Sequence, residues 1–452
     1  MRLFNQTDSA MRKPVKIFTR FMLIAGVAFV TSSCDFEVTN PGPVQDEFLD
    51  DDGAHASVVE GANFALSTSL WQLAYHSEES AKQITRSGRN FCCPKVPPRV
   101  GDMRRDALDN NAWNVAQQAR FVAEDASRRF DEVLGEDEAS SYVYNARAKK
   151  LAGHANRLLG ENMCTAVIDG SEDLGGNDVY LERAKERFEE AVQVGEAAGE
   201  MQIVEAAHAG LASVLGPGLN RWDEAVDYAN QVSDDFSIQA VYTSSESDQY
   251  NIMYDLGADD PWGDWTVYNS FYEEYYEETG DPRAGWVDRE TDDTPEGLPL
   301  YEQQKFSGVA DNVNMNTGRE MRLIEAEAEL RNGNWEEAMD IINEVRTDIQ
   351  SEGGEPLEER SAENVEEAWG HLLEERRIEF WLEGRFMNDL RRWIDDGLEG
   401  TDNVPAYDEF ERMPDVTDRN RLCFPIADSE INSNEHFDQD WEDPWSPIYD
   451  GN

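Results

Sequence analysis

Five aromatic side chains stand where a ring could meet a ligand. Trp71 and Tyr75 are four residues apart, so a helix would set both on one face. Trp262, Trp265 and Tyr268 follow Asp259-Asp260-Pro261 and surround Gly263-Asp264, a composition that predicts an exposed loop. Trp and Tyr offer large rigid surfaces with a polar edge, which suit packing against the C–H face of a sugar. The neighbouring Phe271, Tyr272, Tyr275 and Tyr276 fall at i, i+1, i+4 and i+5 and read as the buried side of a short helix. Bond-making chemistry has no comparable support. The six His residues are scattered, and no HExxH, GxSxG, GxxxxGK[ST] or GxGxxG pattern occurs. Asp50-Asp51-Asp52-Gly53 lacks the alternate ligand spacing and closing Glu of a calcium loop and reads as a solvated turn. No enzyme activity, metal or cofactor is expected.

The elements that must position these rings are helical. Phe188, Ala191, Gly195 and Ala198 share one spacing with Trp222, Ala225, Ala229 and Val232, and with Trp335, Ala338, Ile342 and Val345. Each set is the apolar stripe of an amphipathic helix. Gly216-Pro217-Gly218 and Asn332-Gly333-Asn334 precede two of them as turns, so helix, Gly turn and Trp-led helix resemble a tetratricopeptide unit. Such a unit cannot bury its stripe alone and must stack on others. Helix pairs are expected within about 112–232 and 318–393, interrupted by an irregular, aromatic-rich insert of about 233–317. Glu375, Arg376, Arg377, Glu379, Glu383, Arg385, Asp389 and Arg391 alternate in sign at helical spacing and read as structural ion pairs rather than a catalytic carboxylate pair.

Composition narrows the function classes. The 452 residues carry 39 Lys plus Arg against 94 Asp plus Glu, a net charge of −55, so no basic face exists to bind nucleic acid. With 40% hydrophobic residues and 12 Trp the chain is too apolar to be disordered. Such an acid excess suits concentrated salt, which screens self-repulsion. Arg12, Lys13, Lys16 and Arg20 precede the apolar run Phe21–Val30, then Thr31-Ser32-Ser33-Cys34, which reads as a signal peptide over residues 1–33 with Met11 as an alternative start. The run is too short to span a bilayer. A Cys at that place resembles a lipobox, so Cys34 is expected to be lipidated and to anchor the chain to a membrane. Asp35 and Glu37 look like the export tag of Bacteroidota-type surface lipoproteins. Export also favours disulfides. A bond from Cys92 or Cys93 to Cys164 is expected, with buried free thiols as the alternative.

Several segments together resemble the SusD/RagB family of outer-membrane lipoproteins. They are Cys34-Asp35-Phe36-Glu37-Val38-Thr39-Asn40-Pro41, Leu159-Gly160-Glu161 with Cys164, Asp281-Pro282-Arg283, Met321-Arg322-Leu323-Ile324-Glu325-Ala326-Glu327-Ala328, Glu375 through Arg385 leading to Asp389-Leu390-Arg391-Arg392-Trp393, and Phe424-Pro425-Ile426 with Glu430-Ile431 and Asn434. Ala427 departs from the family's usual second Pro. The resemblance implies an all-α fold, a single SusD-like domain over residues 34–452 with four tetratricopeptide-like helix pairs and a loop-rich ligand lobe. It also implies a surface lipoprotein of the outer membrane that captures a nutrient without covalent chemistry and passes it to a TonB-dependent β-barrel transporter of the SusC type. An oligosaccharide is the expected ligand, and a peptide the alternative. A secreted helical-repeat glycoside hydrolase is the reading from a different class.

Overall fold

The computed structural model describes residues 46–87, 105, 112–171, 174–258, 263–291, 297–398 and 422–437. The chain divides after Leu49, and only Asp46–Leu49 of the first unit is described, in a short 3-10 turn. The second unit, from Asp50, holds the helices. Those of eight residues or more are α1 (His55–Ser80), α2 (Asn114–Leu134), α3 (Val143–Asn162), α4 (Asp178–Ala198), α5 (Met201–Ser213), α6 (Trp222–Ala229), α7 (Phe271–Thr279), α8 (Gly318–Asn332), α9 (Trp335–Thr347), α10 (Val365–Glu379) and α11 (Phe386–Asp395). The expected all-α, tetratricopeptide-like scaffold is present.

From α1 to α6 each helix packs on the next, and α6 then packs directly on α8. The stack therefore continues across the insert as if it were absent. The stripes lie where spacing put them: Phe188, Ala191, Ala225, Ala229, Ala338 and Ile342 are all fully buried. Close approach at Phe188 needs glycine on both neighbours. A Cβ at Gly153 of α3 would sit 2.6 Å from its ring, and one at Gly210 of α5 only 2.4 Å. The insert leaves and rejoins the stack through one antiparallel ribbon, Ser237–Ala240 against Val313–Thr317, with a bulge between Ile238 and Gln239.

The alternating charges of α10 and α11 are structural, but their partners lie mostly on other elements rather than along one helix. Glu375 forms an ion pair with Arg283 at 2.7 Å and accepts from Arg346 at 2.8 Å, and Glu379 accepts from Arg283 at 3.0 Å and Arg319 at 2.9 Å. Arg376 and Arg392 both bind Asp389 at 2.8 Å, and Arg385 binds Glu320 at 2.8 Å. All but the half-buried Arg319 and Arg392 are buried, so each charge must be paired to be tolerated there. Between the two helices the chain reverses at Gly384, whose φ is +71°. A Cβ there would meet the Ala74 Cα of α1 at 2.7 Å.

Cys164 bonds to Cys423, not to Cys92 or Cys93, which lie outside the described residues. Backbone bonds already place the two strands side by side: Phe424 N–H donates to Asn162 O at 2.7 Å, and Cys164 N–H to Phe424 O at 2.9 Å. The bond joins positions 259 residues apart, a proximity that local spacing does not reveal.

Candidate functional site

The insert is held to the stack through α7 and the turn after it. The Tyr272 ring stacks on Trp381 with centroids 4.2 Å apart, and its hydroxyl donates to Arg377 O at 2.9 Å. The Tyr275 hydroxyl donates to Asp281 at 2.8 Å, and Asp281 binds Arg283 at the same distance. Burial alone would push the Asp281 carboxyl up, but attraction to Arg283 outweighs it and holds the carboxyl below its usual range. Arg283 in turn reaches Glu375 and Glu379 of α10. The chain leaving this anchor forms a hairpin, Trp286–Asp288 paired antiparallel with Tyr301–Gln303.

That hairpin builds a cluster of four partly exposed rings. Trp286 and Tyr301 occupy one face as diagonal neighbours, and their rings stack at 4.3 Å with planes 10° apart. Tyr268 stands edge-on to Tyr301 at 5.6 Å, and Tyr276 of α7 lies 6.2 Å from Trp286. The Trp286 indole N–H donates to Glu273 O at 3.3 Å. Thr266 Oγ1 accepts from Tyr301 N–H at 2.8 Å and from Tyr268 N–H at 3.2 Å, which fixes the spacing of those two rings. Aromatic pairs of this kind contribute about 0.5–1.5 kcal/mol beyond area burial, enough to hold the rings in place without burying them. Burial, then the bond to Glu352, pushes the Tyr276 hydroxyl up to about 12. Burial and the carboxylates of Glu273 and Asp288 raise Tyr301 as well. Both phenols therefore stay protonated donors at neutral pH.

The sequence expectations divide. Tyr268 belongs to the cluster, whereas Trp71 is partly buried against the core of α1 and is not among the four rings. Tyr75 is 1% exposed, packed inside the core because its face of α1 meets the rest of the stack. Trp265 is likewise 1% exposed: its segment is a strand paired with Thr85–Arg86, not a loop, and its indole N–H donates to Met253 O at 3.2 Å. Trp262 and Cys34 lie outside the described residues. Tyr272 and Tyr275 are buried as expected, but Phe271 and Tyr276 are only partly buried, and Tyr276 joins the cluster. Tyr301 is not among the expected residues. The signal for it is the two-residue alternation of Trp286/Asp288 and Tyr301/Gln303, legible only once the two short runs are paired. Among the described residues no group of three or more His, Cys, Asp or Glu could hold a metal ion.

The SusD family model matches residues 222–442, which contain the insert, the ion network and the closing segment. Solved structures share the fold over most of the chain. A SusD superfamily protein from Bacteroides vulgatus is 16% identical, covering 86% of this chain and 99% of its own, with a TM-score of 0.61. Surface glycan-binding protein A from Bacteroides uniformis is 15% identical with the same coverages and a TM-score of 0.58. A SusD/RagB family protein from Bacteroides thetaiotaomicron is 13% identical, covering 84% and 94%, at 0.58. No curated protein matches the chain. The chain belongs to the SusD/RagB family.

Proposed function

We propose that this protein is a cell-surface lipoprotein that captures an oligosaccharide by non-covalent stacking and delivers it to a TonB-dependent transporter in the outer membrane. The observation that carries this is the ring cluster of Tyr268, Tyr276, Trp286 and Tyr301, anchored to a SusD scaffold yet left partly exposed. A sugar's C–H face packs on the uncovered ring surface, and the phenol hydroxyls and neighbouring carboxylates bond its hydroxyls. The name of the Bacteroides uniformis relative, a surface glycan-binding protein, supports the same reading. No described helix is long and apolar enough to cross a membrane, and the proposed attachment is a lipid on Cys34. The test has two arms. Titration calorimetry of the purified protein against oligosaccharide and peptide panels should give binding to glycans without turnover. Binding only by peptides, or hydrolysis of any member, would replace the reading. Detergent extraction of tagged protein should also recover a larger barrel protein, and the Cys34→Ala variant should leave the membrane fraction.

A further inference from the structure

The ring cluster sits in a one-sided electrostatic setting. Asp288 is directly opposite Tyr301 in the hairpin and shares its face. Glu273 is fixed by Asn269 N–H, which donates to its carboxylate at 2.5 Å, next to Tyr268. Glu277 lies one helical turn beyond Glu273 on α7. Glu352 meets the Tyr276 hydroxyl, and its backbone N–H donates to Gly280 O at 3.0 Å at the end of α7. Against these carboxylates, residues 265–304 contain 11 Asp plus Glu, no Lys, and only Arg283 and Arg289. Arg283 is buried in its own ion network, and Arg289 is paired to Glu302 through two bonds of 2.6 and 3.0 Å. Anionic groups of a ligand would find repulsion at the rings, and protonated amines would find acceptors.

Resting on the reading of the cluster as a glycan site, we propose that it is charge-selective: it prefers oligosaccharides bearing protonated amines over neutral ones and excludes those bearing carboxylates or sulfates. Ionised carboxylates accept hydrogen bonds from sugar hydroxyls and from ammonium groups, and have no hydrogen to give to an anion. A unit charge within about 4 Å of a carboxylate changes affinity several-fold even in water. Tyr268, Tyr276 and Trp286 supply the apolar contact common to all three ligand classes, so charge decides among them.

Calorimetry with chitosan hexamer, chitin hexamer and oligogalacturonate hexamer, at about pH 5.5 and about 0.5 M sodium chloride to suppress diffuse attraction, tests this. Only the part of the affinity that Trp286→Ala removes counts as binding at the rings. Chitosan hexamer should bind about tenfold more tightly than chitin hexamer, with no measurable oligogalacturonate binding. The pair Asp288→Asn and Glu277→Gln, whose amide oxygens still accept from sugar hydroxyls but carry no charge, should shrink that preference to within about threefold. Equal affinities, the reverse order, or a preference untouched by those substitutions overturns the charge inference alone if Trp286→Ala still removes binding. If Trp286→Ala removes none, or no hexamer binds, the glycan site itself is refuted.

Discussion

Replacing Arg283 by Met should strand the buried charge that anchors the site. Arg283 serves three carboxylates, and they differ in what remains after its loss. Glu375 keeps Arg346 at 2.8 Å and Glu379 keeps Arg319 at 2.9 Å. Asp281 keeps only neutral donors, the Tyr275 hydroxyl at 2.8 Å and the backbone N–H of residue 283 at 3.0 Å, in a side chain with no solvent exposure. Removing one partner of a buried pair costs about 3–5 kcal/mol because the other charge is left uncompensated. The pH dependence separates this from lost packing. Asp281 and Glu379 are both held below their usual ranges in the intact protein, where burial opposes the shift and Arg283 outweighs it. A lowered carboxyl contributes stability at neutral pH and loses it as pH falls through its folded value. In the Met variant Asp281 lacks its cation, burial raises its carboxyl, and acid neutralises the stranded charge. The gap between the two proteins should therefore be widest near pH 7 and close by about half near pH 5. Urea unfolding followed by Trp fluorescence at constant sodium chloride measures it. The second substitution Asp281→Asn should recover part of the loss. A gap below about 1 kcal/mol, or one that stays constant between pH 5 and 8, refutes the stranded-charge mechanism.

Replacing Cys164 and Cys423 together by Ser should lower stability by about 2–4 kcal/mol, because the bond closes a 259-residue separation. Unchanged melting in reductant would show that the backbone bonds of Asn162 and Phe424 suffice. The melting midpoint should rise with sodium chloride, since a chain with a net charge of −55 repels itself and salt screens that repulsion. A midpoint that is flat or falls with salt would show that self-repulsion does not govern stability.

What the sequence made legible follows from how local each signal is. The stripes on α4, α6 and α9 are set by helical period alone, and their central positions are buried where the spacing puts them, while Ala198 and the leading Trp222 and Trp335 are only partly buried. The pairing of Cys164 depends on the path of a distant segment, so no spacing near it points to Cys423. Trp265 misleads because Asp, Pro and Gly around it resemble a loop, whereas tertiary pairing with Thr85–Arg86 makes a strand and buries the ring. Tyr276 escapes the helix reading because it stands at one edge of the aromatic arc of α7, where it is only partly buried and lies 6.2 Å from Trp286 of the distant hairpin. Tyr301 shares a face with Trp286 across a connection too long for a tight-hairpin signature. Half-buried rings are thus placed by contacts far apart in sequence, and the site is less legible than the scaffold that carries it.

The central claim is that the partly exposed rings bind the ligand rather than hold the fold. The decisive measurement is the affinity of Trp286→Ala and Tyr301→Ala for a glycan that binds the intact protein, taken with the melting temperature of each variant. Stacking of a ligand ring on an aromatic side chain contributes on the order of 1 kcal/mol or more, so affinity should fall about tenfold in each variant. Because both rings are only partly buried, melting should fall by no more than a few degrees. Unchanged affinity in both folded variants would contradict the account.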